Sequence, residues 1–290
     1  MQNNERRRRS ALYVPAINAR AVEKARTVPC DVVIFDLEDA VAPDMKVEAR
    51  KQAVAEINRG GFADCELVLR TNPLESEWGE ADLMAALSVK ISAVLLPKVR
   101  SPAEIRECEG KIHASSPIAI WAMIETARSV FNLDAISAAS NDGRLSCLVM
   151  GTNDLAVEMG SHLKVERAPL LGTLGLAVMA AHAHGLQIID GVYNNLNDHE
   201  GFRTQCKQGL EFGFDGKSLI HPNQIEVCNE VFTPDSEAVE FAQRVVAAFD
   251  SPENAKNGVI RLDGRMIERL HLVQARRVLA ASTVASQDLT

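Results

Sequence analysis

Eight times along this chain a short apolar run, rich in β-branched residues, is followed by a stretch of helical period. That alternation is the strongest constraint on the fold. The runs fall at residues 11–16 (ALYVPA), 32–37 (VVIFDL), 66–70 (ELVLR), 93–96 (AVLL), 118–124, 145–150, 187–190 and 214–220 (FDGKSLI). They are apolar throughout rather than alternating, as parallel strands covered on both faces are. Helical patterns follow near 18–27, 44–58 and 79–89, from 101 onward, through about 140, near 169–184 after a long loop, and at 198–209. The opening Ser101-Pro102-Ala103-Glu104 joins a capping serine, a proline at the first helical position and an acidic first turn. Eight βα units predict an α/β fold of the (β/α)8 barrel type. The rival is a doubly wound open sheet. It loses support because neither G-x-G-x-x-G nor G-x-x-x-x-G-K-[ST] follows the first run.

The grammar changes after residue 232. Residues 233–249 (TPDSEAVEFAQRVVAAF) read as a capped amphipathic helix, 251–259 as a polar linker, 259–268 as a short segment, and 270–281 as a last helix carrying Arg276 and Arg277. The expected organisation is a TIM barrel over 1–232 with a C-terminal helical extension over 233–290, an arm or flap rather than a second domain.

Composition narrows the function. Of 290 residues 47% are apolar, which supports a large core, and 31 basic against 39 acidic side chains leave a net charge of −8. That balance argues against coating nucleic acid. No apolar run reaches the roughly 18–20 residues a membrane helix needs. No apolar segment stands behind the arginines at 6–9, so no secretory signal is expected. The six cysteines form no C-x-x-C pair, which points to reduced thiols in a cytoplasmic protein rather than zinc ligands or disulfides.

In a barrel the chemistry sits at the C-terminal ends of the strands. The polar residues at those ends are Asp36, Glu38, Asp39, Arg70, Lys98, Glu125, Asp154, Asp190 and His221. Carboxylates dominate, and several converging on one mouth repel unless a cation neutralises them. Oxygen donors without thiolates or a histidine cluster suit Mg²⁺, or Mn²⁺, held by one or two carboxylates with water and substrate. Glu125 and Asp154, on adjacent strand ends, are the natural pair. Arg70 is either a bidentate partner for a substrate carboxylate or enolate oxygen, or half of an ion pair with Asp36 or Glu38. Arg9 adjoins the first strand and offers a cation to an anionic substrate, although such an arginine run is more often a solvated tail. His182 and His184, two apart on a helix, do not share a face and are not read as ligands.

RRSALYVPA, DVVIFDLEDAVAPDMKVEAR, LRTNPLESEWGEADL, VLLPKV, WAMIETARSVFN, MGTNDLA, IIDGVYNN, GFDGKSLIHPNQI, NEVFTPDSEAV and LDGRMIE run in order from about residue 8 to 280. Together they resemble the citrate lyase β-subunit-like branch of the HpcH/HpaI aldolase superfamily. The resemblance implies a TIM barrel with a C-terminal extension, usually trimeric, and Mg²⁺-dependent making or breaking of a carbon–carbon bond between an acetyl thioester and a 2-oxo acid. On matching blocks, Glu125 and Asp154 correspond to the metal-binding carboxylates, Arg70 to the arginine that polarises the thioester carbonyl, and Glu38 to an acidic group near the metal waters. Glu268, in Gly264-Arg265-Met266-Ile267-Glu268, stands where the acyl-CoA lyases carry an aspartate acid/base over a neighbouring subunit's mouth. Ala16 replaces a frequent glycine, and GTND a more usual GxED.

The implied reaction is retro-Claisen cleavage of a 3-hydroxy-3-carboxyacyl-CoA, such as citramalyl-CoA or malyl-CoA, to acetyl-CoA with pyruvate or glyoxylate. The alternatives are a citrate lyase β subunit working on a citryl thioester of an acyl-carrier protein, a synthase or thioesterase carrying the same chemistry on to free acid, and a non-catalytic scaffold.

Overall fold

The computed structural model describes residues 6–62, 65–255 and 257–286. The ends of both expected segments, 1–5 and 287–290, lie outside the described residues.

The first half of the chain alternates as the sequence predicts: β1 (Ser10–Pro15), α1 (Ala19–Ala25), β2 (Val32–Asp36), α2 (Lys46–Arg59), β3 (Glu66–Arg70), α3 (Gly79–Leu87), β4 (Ala93–Leu96), α4 (Pro102–Lys111) and β5 (Ala119–Ile124). After β5 the expected single helix is two short ones, α5 (Ala127–Phe131) and α6 (Leu133–Ser137), because Asn132 between them leaves helical geometry. β6 (Leu145–Met150) leads directly into α7 (Thr152–Glu158), where the sequence suggests loop. α8 (Leu171–Ala183), β7 (Gln187–Asp190), α9 (His199–Phe212), β8 (Gly216–Leu219) and α10 (Ile225–Val231) complete the set.

All eight strands pair in parallel and in sequence order, and β8 closes on β1 through Ser10–Lys217, Ala11–Ser218 and Leu12–Leu219. The fold is a closed (β/α)8 barrel. Strand alternation sorts the side chains: Val32 and Ile34 of β2 belong to the barrel interior, while Val33 and Phe35 belong to the shell beneath the helices. Trp121 fills the interior beside small residues such as Ala93 and Ala119. Arg8 stacks on the Trp121 ring at 4.5 Å and donates to both oxygens of Glu66 at 2.8 and 2.9 Å. Glu66 opens β3, so this pair belongs to the N-terminal end of the barrel. Breaking such a buried pair by removing one member costs about 3–5 kcal/mol.

Residues Arg8–Phe232 form one compact unit, and a second takes in the chain from Thr233. In that second unit α11 (Ser236–Asp250) is capped by Asp235, whose carboxylate accepts from the Ala238 N–H at 2.7 Å. The segment 259–268 is an antiparallel hairpin of β9 (Val259–Leu262) and β10 (Arg265–Glu268), followed by α12 (Arg269–Ser286). Its turn is Asp263-Gly264, both left-handed at φ 51° and 77°, as a two-residue hairpin loop requires. Val245, Phe249, Ile260, Ile267 and Leu272 give this unit its own small core. No helix among the described residues is long and apolar enough to cross a membrane.

Candidate active site

Parallel strands deliver their last residues to one end of the barrel, and the polar ones gather there. Asp36 ends β2 and Arg70 ends β3, in register with each other. Arg70 donates through Nε and Nη2 to the two oxygens of Asp36 at 2.7 and 2.6 Å, and Asp36 also accepts from the N–H groups of Glu38 and Ala40. Of the two sequence alternatives for Arg70, the structure shows the ion pair, with Asp36 and also with Glu38. Two edges of the fork are an ion pair, and the third nitrogen, Nη1, lies 2.9 Å from Glu38 Oε2 and 3.6 Å from Met123 Sδ. The guanidinium also stacks 4.8 Å from the Tyr13 ring, and burial pushes the Tyr13 phenol up, keeping it a proton donor.

The loop carrying Glu38 is braced from behind. Lys46 donates to the carbonyls of Leu37 and Glu38 at 2.9 and 2.7 Å, and Asn72 donates to the Leu37 carbonyl at 2.9 Å while Asp82 holds Asn72. Burial pushes the Glu38 carboxyl up, although Arg70 and the hydrogen bond from Lys98 Nζ oppose the rise.

Glu125 follows β5 and is 1% exposed. Its Oε1 accepts from the backbone N–H of Lys98 at 2.6 Å, while Oε2, also buried, has no hydrogen-bond partner. The capping box of Thr126 and Ser129 fixes the chain just beyond it. Gly151 is required opposite, because a Cβ there would overlap Glu125 Cβ and Oε2. Burial first, then the charges of Glu38 and Asp154, push the Glu125 carboxyl up to about 8. Asp154, half-buried in the first turn of α7, supplies that second charge.

Other predicted residues go elsewhere. Asp190 ends β7 but is consumed by structure: Arg167 Nη1 donates to Oδ1 at 2.6 Å and Lys217 Nζ to Oδ2 at 2.9 Å. His221 is exposed, its Nδ1 accepting from the Asn223 N–H. Arg9 corrects an expectation. It precedes β1, so it lies at the N-terminal end of the barrel, where it donates to both oxygens of Asp31 at 2.9 and 2.7 Å. It cannot serve the mouth, and Arg8 and Arg9 are not a solvated tail. Glu268 ends β10 in the second compact unit, half-buried, its N–H donating to His271 Nδ1 at 2.9 Å. Tyr13 and Met123 take inward positions on β1 and β5, and that alternation is the one sequence signal that points to them; none marks the backbone of Lys98.

Among the described residues no three His, Cys, Asp or Glu side chains form a closed metal cage. What the mouth offers is two carboxylates, one with an unpartnered buried oxygen. That donor set fits an octahedral hard cation that keeps its waters. An open cavity of about 710 Å³ is lined by Tyr13, Pro15, Asn18, Arg20, Lys24 and His221, among others, and Tyr13, against Arg70, is its link to the mouth.

Known proteins resemble this chain along most of its length. The family profile described as HpcH/HpaI aldolase/citrate lyase matches residues 9–222. A (3S)-malyl-CoA thioesterase of Cereibacter sphaeroides is 44% identical over 94% of this chain and 93% of its own. A citrate lyase subunit beta of Leuconostoc mesenteroides subsp. cremoris is 34% identical over 96% and 94%. The solved structure of CitE from Mycobacterium tuberculosis, in complex with magnesium, acetoacetate and coenzyme A, has a TM-score of 0.78 at 27% identity, covering 96% of this chain and 99% of that one. With the profile running from the start of β1 to the turn after β8, and relatives matching nearly end to end, this chain belongs to the HpcH/HpaI aldolase/citrate lyase family of enzymes.

Proposed function

We propose that the chain is a divalent-cation-dependent enzyme that cleaves a malyl-CoA or citramalyl-CoA type thioester to acetyl-CoA and a 2-oxo acid. The observation that carries this reading is the buried, unpartnered Oε2 of Glu125, facing the charge of Asp154 and set beside Arg70. Glu125 and Asp154 would hold Mg²⁺, or Mn²⁺, which when bound supplies Lewis acidity to the substrate's carboxylate and 3-hydroxyl. That a structural relative is solved in complex with magnesium supports a divalent cation in this reading.

The chain's own residues do the rest. Arg70, pinned by Asp36, keeps Nη1 in the mouth and stabilises the negative charge that develops on the thioester oxygen. Glu38, its carboxylate made more basic by burial, takes the 3-hydroxyl proton as the carbon–carbon bond breaks. The bonding electrons pass to the thioester enolate, and its carbon is reprotonated by Glu268 from the extension of a neighbouring copy. The active form in this reading is a homo-oligomer, a trimer. Arg20 and Lys24, which line the 710 Å³ cavity together with Glu23, would meet the phosphates of a coenzyme A arm. None of the six cysteines is joined in a disulfide, in keeping with a reducing cytoplasm.

A second reading, hydrolysis of the thioester to the free acid, is favoured by the 44% identity to a (3S)-malyl-CoA thioesterase. It uses the same cation and Arg70, with water attacking the carbonyl. One assay separates the two. With malyl-CoA and Mg²⁺, cleavage releases glyoxylate and acetyl-CoA, whereas hydrolysis releases malate and free CoA thiol. Neither product above background with malyl-, citramalyl- or citryl-CoA would reject both readings.

A further inference from the structure

Lys98 stands two residues past β4 with φ 53°, in the left-handed region. A side chain there costs about 1–2 kcal/mol, a cost glycine would not carry. Something must hold the lysine in that turn. Pro97 fixes the approach, and the turn swings the Lys98 N–H onto Glu125 Oε1 at 2.6 Å. The same residue's ammonium donates to Glu38 Oε1 and lies 3.8 Å from Asp39 Oδ1. One residue thus bridges the carboxylates that follow β2 and β5. Arg167, also left-handed at φ 51°, shows the same device, its guanidinium being anchored on Asp190. In both, a long cationic side chain tied to a buried carboxylate compensates an unfavourable backbone.

We propose that Lys98 is a positioning residue whose ammonium, tied to Glu38, locks a strained turn that aims Glu125. With Oε1 taken by a fixed main-chain donor, Oε2, packed against Gly151, is the oxygen left without a partner. The inference rests on the reading of Glu125 and Asp154 as cation ligands. It adds that the metal site is assembled by a backbone conformation, and that Glu38 acts on it through Lys98.

The test compares two variants that both delete the ammonium. Lys98→Gly accepts the left-handed turn freely and keeps the N–H. Lys98→Ala keeps the Cβ penalty without the anchor, so the turn relaxes to negative φ. Mn²⁺ binding to the substrate-free protein, followed by the electron paramagnetic resonance of free Mn²⁺, reads the geometry without turnover. The expected result is a dissociation constant within about twofold of wild type for Lys98→Gly and about tenfold weaker for Lys98→Ala. Lys98→Asn, which tolerates the turn, should fall between them, and it replaces either variant if that one melts below the assay temperature. Wild-type affinity in Lys98→Ala, or equal weakening in the glycine and alanine variants, overturns the proposal. Glu125→Gln separates it from the underlying reading. Unchanged Mn²⁺ binding in that variant removes the cation site itself, whereas lost binding there with intact binding in Lys98→Ala removes only the role of Lys98.

Discussion

Two carboxylates at neighbouring parts of the same barrel end show opposite solutions to burial. Asp190, fully buried at the end of β7, has Lys217 and Arg167 on its two oxygens, and the Gly191 N–H besides. Burial opposes its charge, but Lys217 and Arg167 together hold its carboxyl below the ordinary aspartate range. Glu125, 1% exposed after β5, has one backbone donor, one bare oxygen and two acidic neighbours, and is pushed up to about 8. A charge cluster whose members are all satisfied serves the fold. One that is short of positive charge implies a ligand that brings it.

The sharpest way to break that comparison is to neutralise each carboxylate in turn. Glu125→Gln should lower turnover by about a thousandfold or more, by loss of the cation's contribution, while the melting temperature stays level or rises. Activity persisting in that variant, or in wild type with chelator, would void the contrast. Asp190→Asn should do the reverse. It leaves Arg167 and Lys217 buried without a charge partner, a loss of about 3–5 kcal/mol in chemical denaturation, and any surviving folded fraction should keep its cation affinity. Glu268→Gln should reduce turnover about a hundredfold with Mn²⁺ affinity unchanged, since a proton donor outside the ligand set is removed; an unchanged rate would dismiss its role.

The smallest effect is in pH. Between the ordinary glutamate value of 4.5 and about 8, folded Glu125 keeps a proton that the unfolded chain has lost. This group's contribution to metal-free stability therefore falls as pH rises through that window. Asp190 has the opposite sign: its contribution is present above the unfolded aspartate value and is lost as pH falls through its depressed folded value. A divalent cation needs the charged form of Glu125. The rise in melting temperature on adding Mg²⁺ should thus be a few degrees larger at pH 8.5 than at pH 6, and an equal rise at both would argue that Glu125 is not a ligand.

Much of this was legible in the sequence. The runs at 66–70, 93–96, 145–150 and 187–190 coincide with β3, β4, β6 and β7, because buried parallel strands write themselves as uninterrupted apolar segments. Placing Glu38, Arg70, Glu125 and Asp154 at one mouth follows from that alone. What failed was local or long-range. The helix α7 carries Asp154 in a glycine-led segment with no strong period, and Asn132 breaks a helix by conformation rather than by a proline or glycine signal. Arg9 was misassigned because adjacency to a strand does not make a residue part of the mouth; in a parallel barrel the residues before a strand lie at the opposite end. The partners that separate Asp190 from Glu125 lie far away in sequence, at Arg167 and Lys217, and periodicity carries no record of them.

The central claim is that the carboxylates at the end of β5 and the start of α7, one with a bare buried oxygen, exist to take a divalent cation. Crystals grown with Mn²⁺ and measured at an anomalous wavelength test it most directly. The account predicts one strong peak per chain about 2.0–2.2 Å from Glu125 Oε2 and from an oxygen of Asp154, with the Lys98 N–H still on Oε1. A peak bound elsewhere, or none in crystals soaked at saturating Mn²⁺, would contradict it.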